Sequence, residues 1–312
     1  MKEGEMNMND TMIIGIDHGY GNIKTASTCF KTGVEVFEKE PTFKNNLLTY
    51  NGKFYTIGGE HKEFVADKVN DEDFYILTLA GIAKEMELRK ISSGKVHLAV
   101  GLPLSWMSEQ KDSFKAYLLR NKEVEFSFRG KEYQVEFTDC NVYPQGFSAI
   151  YSRIYQFSGV NILADIGNGT MNIMYINDKV PVQEKCFTEK FGVYQCILAI
   201  RENFLKIHGI TLQDSQIESI LRTGRAEIDE KFLKSVRESA VNYVHGIFRR
   251  LREREYNPNL MRLYVVGGGS CLVKNFGDFQ ANRVNIIEDI CATAKGYEFI
   301  CKERTGKQGS MV

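Results

Sequence analysis

The sequence predicts an α/β protein of two lobes, each built on its own sheet. Three observations predict it. An apolar run, Met12 to Asp17, ends in an acid and a glycine-rich turn, and a second strand-like run, Asn22 to Phe30, follows. The same design returns about 150 residues later, where Asn161 to Ile166 runs into a second glycine turn and Met171 to Ile176 returns. The chain then becomes helical, and one more buried strand, Arg262 to Val266, opens into Gly267-Gly268-Gly269-Ser270. Strands repeated in this way, with helices to cover them, argue for mixed sheets flanked by helices.

The bulk numbers agree with two ordinary globular domains. The chain has 312 residues, 43% of them hydrophobic and 26% charged. Lys plus Arg equals Asp plus Glu at 40 each. A net charge of zero argues against broad non-specific binding of nucleic acid. The seven cysteines are scattered and form no C-x-x-C pair, which fits free thiols in a reducing cytoplasm. No apolar run approaches the ~20 residues that span a bilayer. Residues 1–11 read as a flexible polar leader, not a signal peptide.

Taken in order, Val34 to Phe37 and Phe54 to Ile57 read as further strands, and Phe74 to Lys90 has helical periodicity. Val96 to Val100 is a strand, Ser108 to Arg120 a helix, and Val124 to Phe128 with Tyr133 to Phe137 a hairpin about Arg129-Gly130. Pro144 to Phe157 reads as a helix with proline in its first turn, where a missing N–H costs nothing. In the second half Val180 to Phe187 extends the sheet. Val193 to Ile207, Leu212 to Leu221 and Glu230 to Arg254 are helices, the last stopped by Asn257-Pro258. Asn285 to Ile287 is a short strand, 289–304 a closing helix and 305–312 a loose tail. The expected division is lobe one from 12–157 plus 289–304, and lobe two from 158–288, each on a five-stranded sheet.

The chemistry sits at the glycine turns. In Asp17-His18-Gly19-Tyr20-Gly21-Asn22-Ile23-Lys24, two glycines let a tight turn present backbone N–H groups to an anion. Asp17 can hold magnesium through its water shell, and Lys24 can reach phosphate oxygens as a point charge. Asp165-Ile166-Gly167-Asn168-Gly169-Thr170 repeats the design. Two such loops facing each other would clamp a polyphosphate and its metal. Gly267-Gly268-Gly269-Ser270 permits close backbone approach to a ring or ribose. It matches neither the Rossmann nor the P-loop pattern.

In this order the three segments resemble the phosphate-1, phosphate-2 and adenosine motifs of the actin, sugar-kinase and heat-shock-chaperone superfamily. Val142-Tyr143-Pro144-Gln145-Gly146-Phe147-Ser148-Ala149 resembles its first connecting helix, and Ala292-Thr293-Ala294-Lys295-Gly296-Tyr297 its second. Gly146, Ala149, Ala294 and Gly296 suit a close crossing of those helices. Within the superfamily the sequence is most similar to the plasmid-segregation actins of the ParM or StbA group. The resemblance implies a two-lobed actin-like (ribonuclease-H-like) fold with nucleotide in the interlobe cleft. It implies ATP, or alternatively GTP, with Mg²⁺ held by Asp17 and Asp165 through water. Catalysis would fall to Gln145, Asp165 and Asp17. Nucleotide binding would fall to Gly19, Tyr20, Gly21, Asn22, Lys24, Gly167, Asn168, Gly169, Thr170, Gly192, Gly267, Gly268, Gly269 and Ser270. The implied function is a cytoplasmic ATPase that forms head-to-tail filaments and moves plasmid DNA through a DNA-binding adaptor of ParR type. No direct contact with nucleic acid or membrane is implied. A small-molecule kinase and a non-hydrolysing scaffold of the same superfamily are the alternatives.

One residue departs from the group's pattern. Glutamate is expected after the proline of the first connecting helix, and Gln145 stands there, as in eukaryotic actin. An amide can still orient a water, and the loose transition state of phosphoryl transfer demands no strong base. Elsewhere, Arg249 to Arg254 reads as a solvated helix end favoured by the helix dipole. The five histidines have no metal spacing, and His18 reads as a turn residue.

Overall fold

The computed structural model describes residues 11–59, 69 and 72–309. Apart from Thr11, the expected leader lies outside them, as does His61. The chain divides into two compact units, Met1–Ser152 with Cys291–Val312, and Arg153–Ile290.

The first unit is organised by three parallel strands. β1 (Met12–His18) is followed by an antiparallel β2 (Asn22–Thr25), and β3 (Cys29–Lys31) pairs with β2 in turn. The single strand expected from Asn22 to Phe30 is therefore two. Thr25 breaks it, its hydroxyl accepting Thr28 N–H at 2.9 Å while its own N–H donates to Thr28 O at 2.8 Å. β4 (Val34–Phe37), β5 (Leu47–Tyr50) and β6 (Lys53–Ile57) follow, then helix α1 (Glu72–Leu88). β7 (Ser93–Leu102) runs parallel to β1. After α2 (Met107–Leu118) come β8 (Glu123–Phe128) and β9 (Lys131–Pro144), and β9 lies parallel to β7. The sheet holds nine strands in the order β3-β2-β1-β7-β9-β8-β5-β6-β4, not five.

β9 departs furthest from the sequence expectation. Tyr143 and Pro144 are strand residues, paired with Gly101 and Leu102. Of the expected helix, Phe147–Tyr151 forms an α-helix (α3) and Ile154–Gln156 a separate 3-10 turn. Gly146 at φ 75° separates the two, a conformation that favours glycine. Pro144 is thus the end of a strand rather than a helix start. Its missing N–H falls where pairing stops, and the next N–H, of Gln145, donates to Leu102 O at 2.8 Å.

The second unit has a five-stranded sheet. β10 (Val160–Ile166) pairs antiparallel with β11 (Met171–Asn177), which pairs antiparallel with β12 (Val180–Glu189). Helices α4 (Val193–His208), α5 (Asp214–Thr223) and α6 (Glu230–Glu253) precede β13 (Arg262–Val266), parallel to β10. α7 (Ser270–Phe276) and β14 (Val284–Ile286) complete it. Its core gathers Ile162, Ala164 and Ile173 of the sheet with Ile197, Ile200, Val244 and Ile247 of α4 and α6. With Phe204 and Ala240, those helical residues recur at three- and four-residue spacing, which is why α4 and α6 are legible in sequence.

The chain returns to the first unit as α8 (Ala292–Gly309), longer at its C-terminal end than the expected helix and absorbing much of the expected tail. It crosses α3 so closely that a Cβ built on Gly296 would lie 1.9 Å from Ser148 O. The seven cysteines form no disulfide. Among the described residues no helix is long and apolar enough to cross a membrane.

Gly296→Ala is expected to lower the melting temperature by several degrees, since overpacking against backbone costs about 1–3 kcal/mol. Gly306→Ala, in the same helix with nothing within 4 Å of an added Cβ, should be neutral or stabilising by ~1 kcal/mol. Paired thermal melts check this. Equal losses would refute the close crossing.

Candidate functional site

In both units the residues of the sequence motifs fall at the carboxyl ends of parallel strands, the side of an α/β sheet where ligands bind. Each half is built separately.

In the first unit, Asp17 lies near the end of β1, with Leu102 ending β7 and Pro144 ending β9. The hairpin register sets Asp17 opposite Lys24. Lys24 Nζ donates to Asp17 Oδ2 at 3.1 Å, and Gln145 Nε2 donates to Asp17 Oδ1 at 3.1 Å. Asp17 is only 2% exposed. A buried carboxylate is costly unless donors meet it, and here a cation and an amide do. Because the carboxylate accepts only, it fixes the amide end of Gln145 towards itself and leaves Oε1 as an acceptor. Gln145 is therefore brought to Asp17 from 128 positions away in sequence.

The intervening turn is tight. A Cβ on Gly19 would lie 2.7 Å from Asn22 O. Tyr20 O accepts Thr32 Oγ1–H at 2.6 Å, and Gly21 O accepts Thr32 N–H at 3.3 Å. His18 belongs to β1 rather than to the turn. Its Nε2 pairs with Thr78 Oγ1 at 2.8 Å, and its buried ring lies edge-on to Phe74 and Phe114, so it packs the hairpin onto α1 and α2.

In the second unit, Asp165 of β10 stands beside Val266 of β13, so the second phosphate-type loop and the three-glycine turn emerge together. Gly167 N–H donates to Thr170 O at 2.8 Å and closes the loop. Gly269 N–H donates to Ile166 O at 2.8 Å and ties the two turns. Gly267, at φ 86°, lies so near that an added Cβ would be 2.5 Å from Asp165 Oδ1. Gly169 and Gly268, by contrast, have nothing within 4 Å of an added Cβ. Ser270 is buried at the start of α7.

A third segment joins them. Val193 and Tyr194 N–H groups donate to Gly167 O and Asn168 O at 3.1 and 2.8 Å. Gly192 sits where a Cβ would meet Asn168 O at 2.4 Å. α6 holds this segment from behind. Tyr243 O–H donates to Gly192 O at 2.8 Å, and its ring stacks on Phe191 at 4.2 Å. Arg250 lies over the other partner ring, with its guanidinium 3.6 Å from the Phe191 centroid. Arg250 Nε and Arg254 Nε also reach Glu189 at 3.2 and 3.3 Å. The basic end of α6 is thus split. Arg249 pairs with exposed Glu253, while Arg250 and Arg254 brace the loop, contrary to the solvated helix end expected. Their four-residue spacing was the available signal. Burial pushes the Tyr243 hydroxyl well above its ordinary range, so it stays a donor at any physiological pH.

Two family profiles match the chain, together covering most of it: "Actin like proteins N terminal domain" over residues 15–147 and "Archaeal actin homologue MreB-like, C-terminal" over residues 163–277. The chain belongs to the actin-like superfamily. The fold is also that of solved members. The archaeal actin homologue Ta0583 aligns with TM-score 0.73 at 21% identity over 93% of this chain and 99% of its own. A ParM from a 15-stranded filament of Clostridium botulinum aligns with TM-score 0.69 at 20% identity over 94% and 99%. Bacillus thuringiensis ParM, solved with ATP, aligns with TM-score 0.71 at 13% identity over 95% and 99%. No curated protein matches the chain.

Tyr243→Phe removes the donor and leaves a buried carbonyl unsatisfied. It should cost about 1–2 kcal/mol of stability. Denaturant unfolding near neutral pH checks this. An unchanged midpoint would mean that the Tyr243 contact holds nothing.

Proposed function

We propose that the chain is a nucleotide-dependent, filament-forming actin-like ATPase. The observation that carries this reading is Asp17. It is a buried carboxylate at a strand end beside a glycine turn, met by Lys24 and by Gln145, with the same strand–acid–glycine design built around Asp165 in the other unit. The solved relatives support it, since Ta0583 has been crystallised in complex with ADP and a ParM of the same fold with ATP.

In this reading the turn of Gly19, Tyr20, Gly21 and Asn22, together with Lys24, binds phosphate. Gly167, Asn168, Gly169 and Thr170 likewise bind phosphate, and Gly192 with Gly267 to Ser270 receives the nucleoside. Among the described residues no three His, Cys, Asp or Glu side chains stand together as a metal cage. The fitting cation is one that keeps its water and needs one or two carboxylates, as Mg²⁺ does, with Asp17 and Asp165 as its protein partners. When bound it would neutralise phosphate charge. Gln145 has its amide taken by Asp17 and its Oε1 available to accept a proton-bearing group. It orients the attacking water, a positioning role that phosphoryl transfer accepts in place of a base.

The filament and its use are read from relatives. Solved proteins of this fold include ParM and Alp12 filaments. A heterologous contact that does not close on itself yields such polymers. The finer proposal is segregation of plasmid or other mobile DNA through a DNA-binding adaptor of ParR type, in the cytoplasm.

Asp17→Ala and Asp165→Ala should each slow Mg-dependent phosphate release by orders of magnitude in folded protein. Near-parental rates in both would mean the two acids merely close strands. Gln145→Ala should slow release on the order of 10²-fold while nucleotide affinity holds, so that filaments formed with ATP persist in pelleting assays. Parental turnover per folded molecule would remove Gln145 from the mechanism.

A further inference from the structure

The phosphate-type hairpin of the first unit is held at its open end by two buried carboxylates from two different helices. β2 pairs with β1 only through Thr25, Lys24 and Ile23, opposite Ile16, Asp17 and His18. One residue further back on β1, at Gly15, β2 has already turned away. Gly15 N–H instead donates to Glu298 Oε1 of α8 at 3.0 Å. The approach needs glycine, since a Cβ there would lie 2.2 Å from Ala294 O. Glu298 is 7% exposed, and its Oε2 pairs with the exposed Lys302 at 3.3 Å.

On the other strand of the hairpin stands Glu85 of α1, 1% exposed. Its Oε1 accepts Thr25 Oγ1–H at 2.5 Å and Ser27 N–H at 3.0 Å. Its Oε2 accepts Ser27 Oγ–H at 3.4 Å and Arg89 Nη2–H at 3.3 Å. An ionised carboxylate offers about four acceptor sites, and all are used. Carboxylates are rarely buried to this degree without such pairing.

We propose that Glu85 and Glu298 are positioning residues for phosphate binding: they fix, through Thr25 and Gly15, the two strands whose next residues towards the turn include Lys24 and Asp17. This rests on the nucleotide-binding reading above. Glu298 acts two residues from Asp17 and Glu85 one residue from Lys24. The Asp17–Lys24 contact therefore depends on where α8 and α1 hold the strands beneath it. Neither carboxylate touches the nucleotide in this scheme.

The two differ in what a conservative change does. Glu298→Gln keeps one acceptor oxygen for Gly15 N–H and weakens only the pairing with Lys302, whose side chain is exposed. Glu298→Ala strands a buried N–H. Glu85→Gln replaces one acceptor oxygen by an NH₂ that faces donors. The experiment measures Mg-ATP affinity by calorimetry on folded protein, with hydrogen exchange of the segment 12–25. Glu298→Ala and Glu85→Gln should each weaken affinity about tenfold, the scale of one unsatisfied buried group, and speed exchange across 12–25. Glu298→Gln should behave as the parent in both. A parent that binds Mg-ATP alongside variants of equal affinity per folded molecule overturns the positioning role alone. A parent that binds no nucleotide overturns the reading beneath it as well. If Glu298→Ala does not fold, a weakened Glu298→Gln would count against the proposal, since it keeps the only bond invoked.

Discussion

A carboxylate at the end of a buried strand has to be met by donors, and in the first unit that requirement organises everything around it. Asp17 is satisfied by Lys24 across the hairpin and by Gln145 from the end of β9. The first contact fixes the register of β1 on β2. The second requires β1, β7 and β9 to end level with one another, which their parallel pairing provides. Pairing a buried charge in this way keeps its desolvation cost from unfolding the turn. It also gathers an anion, a cation and an amide at one edge, as phosphate and metal chemistry needs.

The second unit solves a different problem. Its three turns lie so close that glycine is required where they touch, at Gly192 and Gly267. Backbone hydrogen bonds tie the turns together, and α6 supports them through Tyr243 and Arg250. Backbone tied down by its neighbours can approach a ligand closely without rearranging, which limits the entropy lost on binding. The first unit relies on side-chain charge, the second on backbone geometry.

What was legible in the sequence was local. The strand–acid–glycine pattern around Asp17 and Asp165 declares itself within eight residues, and the apolar spacing of α4 and α6 declares those helices. Pro144 suggests a helix start because proline there is a sound local rule, while the pairing of Tyr143 and Pro144 with Gly101 and Leu102 comes only with tertiary structure. Leu47–Tyr50 escaped because four residues carry little periodicity. Glu298 was invisible for a stronger reason, since its partner Gly15 lies 283 positions away. Gln145 stands out in sequence only through resemblance to a family, and its contact with Asp17 is a tertiary fact.

The proposed function rests on nucleotide binding at the glycine turns, and a ligand that binds only the folded chain should stabilise it. The most direct test is a thermal melt of the parent protein across a titration of Mg-ATP. At a hundredfold excess over the dissociation constant, linkage gives about 2.7 kcal/mol, so the melting temperature should rise progressively and saturably with nucleotide. A melting temperature unmoved by Mg-ATP, ADP and GTP alike would contradict the account.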